Sequence, residues 1–260
     1  MAASIEQTAA SWSKLGDNYA TSIVHKSGPS LAKLIQLARP QSTDLCLDIG
    51  TGTGHTAAEL AKYAHKVWGL DPSHGMRLAA EKIYADIDNL GFIDGTSEKT
   101  GFPDDCFDIV TARHTLHHHP SMPNTLAEIY RILKPNGRFV LVDEITPKPE
   151  LNDWYHQLEI TRDPTHKRSY YLSEWQDFLK DAGFEWIVGD SKTIYHLDIE
   201  KWINRMEPSR EQANMVRQLF LSANEFAKDT FNIQIKDNKA VSFDMPMAII
   251  LVVKPIRNED

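Results

Sequence analysis

Cysteines and long apolar runs are both scarce in this 260-residue chain. Its two cysteines, Cys46 and Cys106, show no paired spacing, so the sequence predicts no disulfide framework, which suits a reducing compartment. The longest apolar run, residues 247–253, is far too short to span a bilayer, and the N-terminus lacks the charged-then-apolar layout of a signal peptide. We therefore expect a cytoplasmic protein without a membrane span.

Basic residues are also in the minority. The chain has 28 lysines and arginines against 36 acids, which gives a formal net charge of −8. Because a protein that binds the phosphate backbone needs a basic surface, we expect no nucleic-acid partner. A small molecule is the expected partner, and the sequence does not define the oligomeric state.

Strand-like apolar runs alternate with helical patterns through the first half of the chain. This order predicts parallel strands with right-handed crossovers, and the length suits one α/β domain with an insertion. We expect strands at 44–49, 66–71, 90–94, 108–113, 138–145 and 184–188, and helices at 54–64, 73–88, 121–133, 150–163 and 173–182. Residues 198–229 are helical in period, and 231–235 with 240–243, joined by a turn around Asp237 and Asn238, suggest a hairpin.

One of these strands ends in an acid and opens into a loop rich in glycine. Asp48 is followed by Gly50, Gly52 and Gly54, after which a helical pattern begins. Glycine lets a ligand approach the backbone, but a carboxylate here would repel the pyrophosphate of a dinucleotide. The third glycine of the dinucleotide fingerprint is also replaced, by His55. A ligand with an ammonium group fits better, and S-adenosylmethionine combines such a group with a ribose.

A second acid, Asp71, stands at the end of the next predicted strand. An acid about 20 residues after the glycine loop can accept hydrogen bonds from both ribose hydroxyls. The alternative is a plain helix cap, with Pro72 at the first helical position. The spacing favours the ribose interpretation, and both acids fall at the edge of the sheet where ligands of α/β proteins bind.

Taken together, these segments resemble the class I S-adenosylmethionine-dependent methyltransferases, in the branch related to the ubiquinone and menaquinone C-methyltransferases. The resemblance rests on 45–55, 95–110 and 128–139, and it runs from about Trp12 to the last strand. It implies a Rossmann-like, doubly wound, seven-stranded sheet whose last strand, 247–253, is antiparallel. It also implies helices before the sheet and a helical insertion before its last strand.

The whole chain is therefore expected to form a single methyltransferase domain, residues 1–260. Within it, residues 1–40 would be an N-terminal helical cap and 41–145 the cofactor-binding core. Residues 146–260 would be a variable acceptor-side half, in which about 198–229 forms a lid or, alternatively, a buttress remote from the site.

The residues expected to bind the cofactor are spread over several loops. Thr96 holds the position at which many relatives of the resembling family have an aspartate, and its hydroxyl could accept a hydrogen bond from adenine. Met76 could lie against adenine, Arg113 could pair with the cofactor carboxylate or with Glu98, and an aromatic such as Tyr19 could close over the methionine end. The full expected set is Asp48, Gly50, Thr51, Gly52, Asp71, Pro72, Met76, Thr96, Ser97, Glu98, Arg113, Tyr19 and His25.

A run of four histidines directly follows the fourth predicted strand, at positions 114 and 117–119. Imidazoles are good metal ligands, but no cysteine or acid completes a recognised spacing, so we expect no metal here. A structural turn and a place beside the acceptor remain open. If the run has a catalytic role, His117 is the first candidate for a general base and His114 the second, because a histidine suits proton removal at neutral pH.

The most specific functional prediction is S-adenosylmethionine-dependent methyl transfer, by in-line displacement, to a small molecule that is quinone-like, aromatic or lipid-like. Five aromatics of the variable half, Trp154, Tyr155, Trp175, Trp186 and Trp202, could line the acceptor pocket or belong to the core. The alternatives are a protein that binds S-adenosylmethionine or S-adenosylhomocysteine without transferring a methyl group, and a nicotinamide-dependent oxidoreductase.

Overall fold

The computed structural model describes residues 4–20, 26 and 28–256. The first described helices come before the sheet, and the remaining helices lie between its strands, singly in the first half of the chain and in groups in the second. The helices are α1 (Ile5–Trp12), α2 (Gly16–Ala20), α3 (Pro29–Ala38), α4 (His55–Ala61), α5 (His74–Ile83), α6 (Met122–Ile132), α7 (Asn152–Arg162), α8 (Leu172–Asp181), α9 (Ile199–Asn204), α10 (Arg210–Leu221) and α11 (Glu225–Thr230).

A twisted sheet forms the centre of the molecule, and its strand order confirms the predicted doubly wound α/β fold. Its strands are β1 (Leu45–Ile49), β2 (Lys66–Leu70), β3 (Leu90–Ile93), β4 (Phe107–Arg113), β5 (Leu133–Glu144), β6 (Glu185–Asp198), β7 (Gln234–Lys236) and β8 (Lys239–Val253). The order is β3-β2-β1-β4-β5-β8-β6, and the short β7 pairs with β8 outside this path. The pairs from β3 to β5 are parallel, and β8 runs antiparallel to both β5 and β6.

Strand β8 corrects one detail of the sequence analysis. Its 15 residues contain both the expected second hairpin strand and the expected last strand, which the sequence pattern separated. The hairpin turn lies where it was predicted, at Asp237 and Asn238, whose positive φ angles of 49° and 57° fit a type I′ turn. Strand β6 is also longer than expected, because it pairs with β8 from Glu185 to Asp198.

Helices pack on both faces of the sheet, and each face has its own apolar core. One core joins α3 and α4 to the helices after β6, and it contains Leu60, Phe220 and Phe243. The other lies under α6 and α8 and contains Ile129 and Trp175. Two-sided burial explains why the central strands are apolar along nearly their whole length. Within the described residues, no helix is both long enough and apolar enough to cross a bilayer.

The expected helical insertion is present as α9, α10 and α11, between β6 and the β7–β8 hairpin. Of this segment, only Trp202 on α9 and Arg205 just after it line the cavity at the carboxyl ends of the central strands. Helix α10 packs against α7 and β8. The segment therefore contacts both the cavity and the core.

Candidate active site

One cavity at the carboxyl ends of the central strands brings the predicted site residues together. Every predicted site residue in the described part of the chain lines it; His25 lies outside the described residues. The lining set includes Tyr19, Asp48, Gly50, Thr51, Gly52, Asp71, Pro72, Met76, Thr96, Ser97, Glu98, Arg113, His114 and His117. Tyr19 and His117, 98 positions apart in sequence, thus share one space, and the residues that follow the strands meet there because parallel strands end at a common edge.

The glycine loop after β1 uses its glycines for two different purposes. Gly50 and Gly52 both have positive φ angles, 59° and 54°. A Cβ atom on Gly50 would lie 2.0 Å from the Thr115 hydroxyl oxygen, whereas a Cβ on Gly52 would meet no other atom within 4 Å. Gly50 is therefore required for close packing against Thr115, and Gly52 exposes its backbone to the cavity.

Asp48 is buried, and its two carboxylate oxygens are already engaged. The Thr51 hydroxyl donates to Oδ2 at 2.7 Å, and the Thr111 hydroxyl donates to Oδ1 at 2.6 Å. Burial raises the pKa of Asp48 to about 6, and the two hydroxyl donors partly oppose that rise. The acid thus helps to fix the loop in addition to facing the cavity.

Asp71 links the glycine loop to the start of α5. The Gly52 amide donates to its Oδ2 and the Ser73 amide to its Oδ1, both at 2.8 Å. Burial raises the pKa of Asp71 to about 6. Ser73 is the helix cap, since its hydroxyl accepts from the Met76 amide, so the alternative that placed Pro72 at the first helical position is wrong.

Side chains from α2 and α5 cover the next part of the cavity. Met76 is buried in a small cluster with Leu15 and Tyr19. The Tyr19 hydroxyl donates to the Met206 sulfur at 3.3 Å, and the Tyr19 ring meets the edge of Trp12 at 4.9 Å. These contacts hold the two predicted residues, Tyr19 and Met76, against the cavity wall.

The loop after β3 carries the three residues expected near adenine. Thr96 makes an isolated bridge with Lys99, which closes a tight turn. Ser97 is buried, and its hydroxyl lies 2.9 Å from His119 Nδ1. Glu98 lies within 3.1 Å of the Ser97 hydroxyl through Oε2. The loop is therefore tied to the histidine run.

Arg113 is buried and is the last residue of β4, and His114 directly follows it with its ring nitrogen Nε2 buried. Arg113 Nε donates to the Thr56 hydroxyl at 2.9 Å, and its guanidinium faces Tyr195; within the described residues it forms no ion pair with Glu98. Burial, followed by the Arg113 charge, lowers the pKa of His114 to about 3. The His114 ring is consequently neutral at pH 7 and a weak base.

His117 pairs with an acid at the end of β5. His117 Nδ1 lies 2.6 Å from Asp143 Oδ1, and the His117 amide donates to Asp143 Oδ2 at 3.1 Å. Burial is the largest single influence and lowers the pKa of His117. The combined negative charges of Asp143 and Glu144 outweigh it and raise that pKa to about 10. The ring therefore carries a proton at neutral pH.

The other two histidines of the run hold the loop in place. His118 Nδ1 lies 3.2 Å from the Thr165 hydroxyl, and the His118 ring meets the edge of Trp12. Burial lowers the pKa of His118 to about 3 and that of His119 to about 4. Both rings have structural contacts.

Several lining residues were not predicted as site residues. They come from α1, the end of β5, the end of α7 and the segment after it, β6, and the residue after α9, and they include Trp12, Glu144, Arg162, Asp163, Lys167, Tyr195 and Arg205. Glu144 could have been found, since it lies at the carboxyl end of a parallel strand, as Asp48 does. Tyr195 gave no local signal, because it reaches the cavity through long-range pairing with β8.

Of the five aromatics proposed for an acceptor pocket, only Trp202 lines the cavity. Trp154 and Tyr155 pack with Phe231, with ring centroids 5.3 and 4.9 Å away, and Trp175 is buried in the other core. Trp186 packs partly buried against that same core. The core alternative therefore holds for four of the five.

Comparison with known proteins identifies a shared sequence and fold. Residues 47–141 match the family model described as "Methyltransferase domain". The chain is 31% identical over 247 residues to the uncharacterized methyltransferase YcgJ of Bacillus subtilis, covering 94% of this chain and 97% of the relative. It is 39% identical over 112 residues to a demethylmenaquinone methyltransferase of Symbiobacterium thermophilum, covering 40% and 44%. The crystal structure of YcgJ superposes with a TM-score of 0.82 at 30% identity, over 88% of this chain and 99% of that one.

Proposed function

Because the chain belongs to the class I S-adenosylmethionine-dependent methyltransferases, we propose that it methylates a small molecule that is quinone-like, aromatic or lipid-like. The cofactor, S-adenosylmethionine, supplies an electrophilic methyl group on a sulfonium. In this proposal the protein is a cytoplasmic enzyme of one domain. Residues 1–40 cap the cavity, 41–145 bind the cofactor, and 146–260 shape the acceptor side.

The residues on the nucleoside side fit that cofactor. The open space beside Gly52 allows a ligand to contact the backbone, and Asp71 lies next to the Gly52 amide with a carboxylate able to accept from ribose hydroxyls. We assign Gly50, Thr51 and Pro72 to the walls of the same pocket. We assign the adenine end to Met76, Thr96, Ser97 and Glu98.

The methionine end of the cofactor needs partners for an ammonium and a carboxylate. We assign Asp48 to the ammonium and Arg113 to the carboxylate, because opposite charges in a buried site attract strongly. We assign Tyr19 to cover this end. His25 remains a predicted cofactor-binding residue.

The single observation that carries the acceptor proposal is the continuity of the cavity. It extends from the glycine loop past His117 to the side chains of Trp12, Trp202 and Met245, which are apolar or aromatic. Ligand pockets lined in this way bind ligands with a large apolar part. An acceptor held there would lie beside the methyl group, and good orientation alone can lower a barrier by about 7–11 kcal/mol.

We propose His117, rather than His114, as the group that accepts a proton from the acceptor. Asp143 fixes the His117 ring through Nδ1, which leaves Nε2 for the acceptor, whereas burial makes His114 a weak base. His117 must first lose its own proton. The positive charge of the cofactor in the same cavity would favour that loss, since a like charge lowers the pKa of a histidine.

Transfer of a radiolabelled methyl group into a fractionated metabolite extract tests this function. We expect label in one or a few apolar fractions with the wild type. The Asp71→Asn variant should lose most of the labelling, and Asp86→Asn, which changes an exposed aspartate in the same way, should not. Calorimetry with S-adenosylhomocysteine on the same samples completes the test. If the protein binds this nucleoside but labels no fraction, it is a binding protein that does not transfer methyl groups.

A further inference from the structure

Three buried side chains with ligand atoms meet beside His117. Glu144 ends β5, Glu159 lies on α7, and His166 follows α7 in the next loop. One carboxylate oxygen from each glutamate and one ring nitrogen of His166 all lie within 4.8 Å of one another. The three residues are only 6%, 1% and 5% exposed. Two carboxylates with an imidazole are a ligand set that divalent transition metals use.

Glu159 gives an independent indication that something else belongs in this space. Its Oε1 is buried and makes no hydrogen bond of ordinary geometry, and the Tyr155 hydroxyl, which faces Glu159, is unpaired as well, although buried polar atoms nearly always have a partner. The nearest cation, Arg162 Nη1, lies 3.8 Å from Oε2, which is too far for a direct hydrogen bond. An ion between the ligand atoms would satisfy the unpaired oxygen.

The Glu144 and His166 atoms face each other in the same way. His166 Nδ1 lies 3.7 Å from Glu144 Oε1, again beyond hydrogen-bond distance. Glu144 Oε1 does accept from the Ser169 hydroxyl, at 2.5 Å. A hydroxyl that holds a carboxylate in place is a common support for a metal ligand.

The charges around the cluster also favour a cation. Four buried acids, Asp143, Glu144, Glu159 and Asp163, lie in this region, and the buried Arg162 lies 3.8 Å from Glu159. Buried carboxylates are stable only beside a positive charge, and a divalent cation would supply one.

We propose that Glu144, Glu159 and His166 bind one divalent cation of the zinc or manganese type. Metal–ligand distances of about 2.0–2.2 Å require the three atoms to lie within about 4.4 Å of one another, so a contraction of a few tenths of an ångström is enough. The proposed ligands include none of the four histidines for which the sequence indicated no metal. Glu144 also lines the main cavity, so the ion would lie at its wall, where it could polarise an oxygen of a bound molecule.

Metal binding by the full-length chain tests the proposal. The protein is stripped with EDTA and desalted, and it is then titrated separately with MnCl₂ and ZnSO₄ by calorimetry; bound metal is counted by mass spectrometry after gel filtration. We expect one equivalent of ion for the wild type and binding at least about tenfold weaker for Glu159→Gln and for His166→Gln. His196→Gln is the matched control, because His196 is an exposed histidine paired with Asp244, and it should bind like the wild type.

Two results would overturn the proposal: the wild type retains neither ion, or both cluster variants bind as tightly as the wild type. Circular dichroism checks that each variant is folded, and Glu144→Gln replaces either one that is not. The metal site does not depend on the proposed acceptor. S-adenosylhomocysteine titrations on the same samples distinguish a failure here from a failure of the proposed function.

Discussion

Replacing Gly50 and Gly52 by alanine, one at a time, should separate packing from ligand contact. Both residues have positive φ angles, so alanine at either position costs about 1–2 kcal/mol of backbone strain. At Gly52 the new methyl group meets no protein atom, so we expect no loss of stability beyond this backbone strain. At Gly50 it would lie 2.0 Å from the Thr115 hydroxyl, which adds about 1–3 kcal/mol of overpacking.

Gly50→Ala should therefore lose more stability than Gly52→Ala, and Gly52→Ala should lose more affinity for the ligand. With about 2–4 °C lost per kcal/mol for a chain of this size, Gly50→Ala should melt several degrees below Gly52→Ala. In calorimetry with S-adenosylhomocysteine, folded Gly52→Ala should bind at least about tenfold more weakly than the wild type, because its methyl group occupies space that the ligand needs. A tenfold loss corresponds to about 1.4 kcal/mol.

A second substitution provides the control. Thr115→Ala in the Gly50→Ala background removes the closest contact and should restore part of the lost stability, as a double-mutant cycle would show. Undiminished nucleoside binding by Gly52→Ala would mean that the ligand does not contact this peptide. Equal melting temperatures for the two alanine variants would refute the packing argument at Gly50.

Three further predictions concern pH, the histidine and the core. Asp48 and Asp71 have pKa values of about 6 in the folded protein, and a ligand ammonium or ribose favours their ionised forms. Binding of S-adenosylhomocysteine should therefore weaken as the pH falls from 7 to 5, by up to about tenfold per pH unit for each group, and calorimetry that gives the same affinity at both pH values would contradict this. His117→Ala should lower methyl transfer by about 10²–10⁴-fold in the labelling assay with nucleoside affinity unchanged, and full activity would exclude a proton-transfer role for His117. Phe231→Ala should cost about 3–5 kcal/mol in chemical denaturation, since the ring is fully buried against two aromatics; a loss below about 1 kcal/mol would contradict the packing.

The parts of the molecule that sequence could predict are those with short-range signals. The acid and glycines after β1 and the acid after β2 stand at strand ends that the alternating pattern had located. Because parallel strands share one edge, these separate motifs were expected to meet, and they do. The turn at Asp237 and Asn238 was equally local.

The parts that sequence could not predict depend on distant pairing. His117 is held by Asp143, 26 residues away, and no local pattern names that partner. Helical period alone did not distinguish Trp202, at the cavity, from Trp154, in the core, because both side chains lie on apolar faces. Strand β8 seemed to be two strands because its sequence pattern changes where its neighbour changes from β7 to β5.

Helix α1 has a practical consequence for handling the protein. Ile5, Thr8, Ala9 and Trp12 line the same cavity as the glycine loop, and the Trp12 indole donates to the Thr165 hydroxyl in the segment after α7. An affinity tag fused ahead of this helix would therefore lie beside the cavity and could obstruct a ligand. The end of β8 pairs with the first residues of β6 and lies at the opposite edge of the sheet. A purification tag attached there would stay away from the cavity.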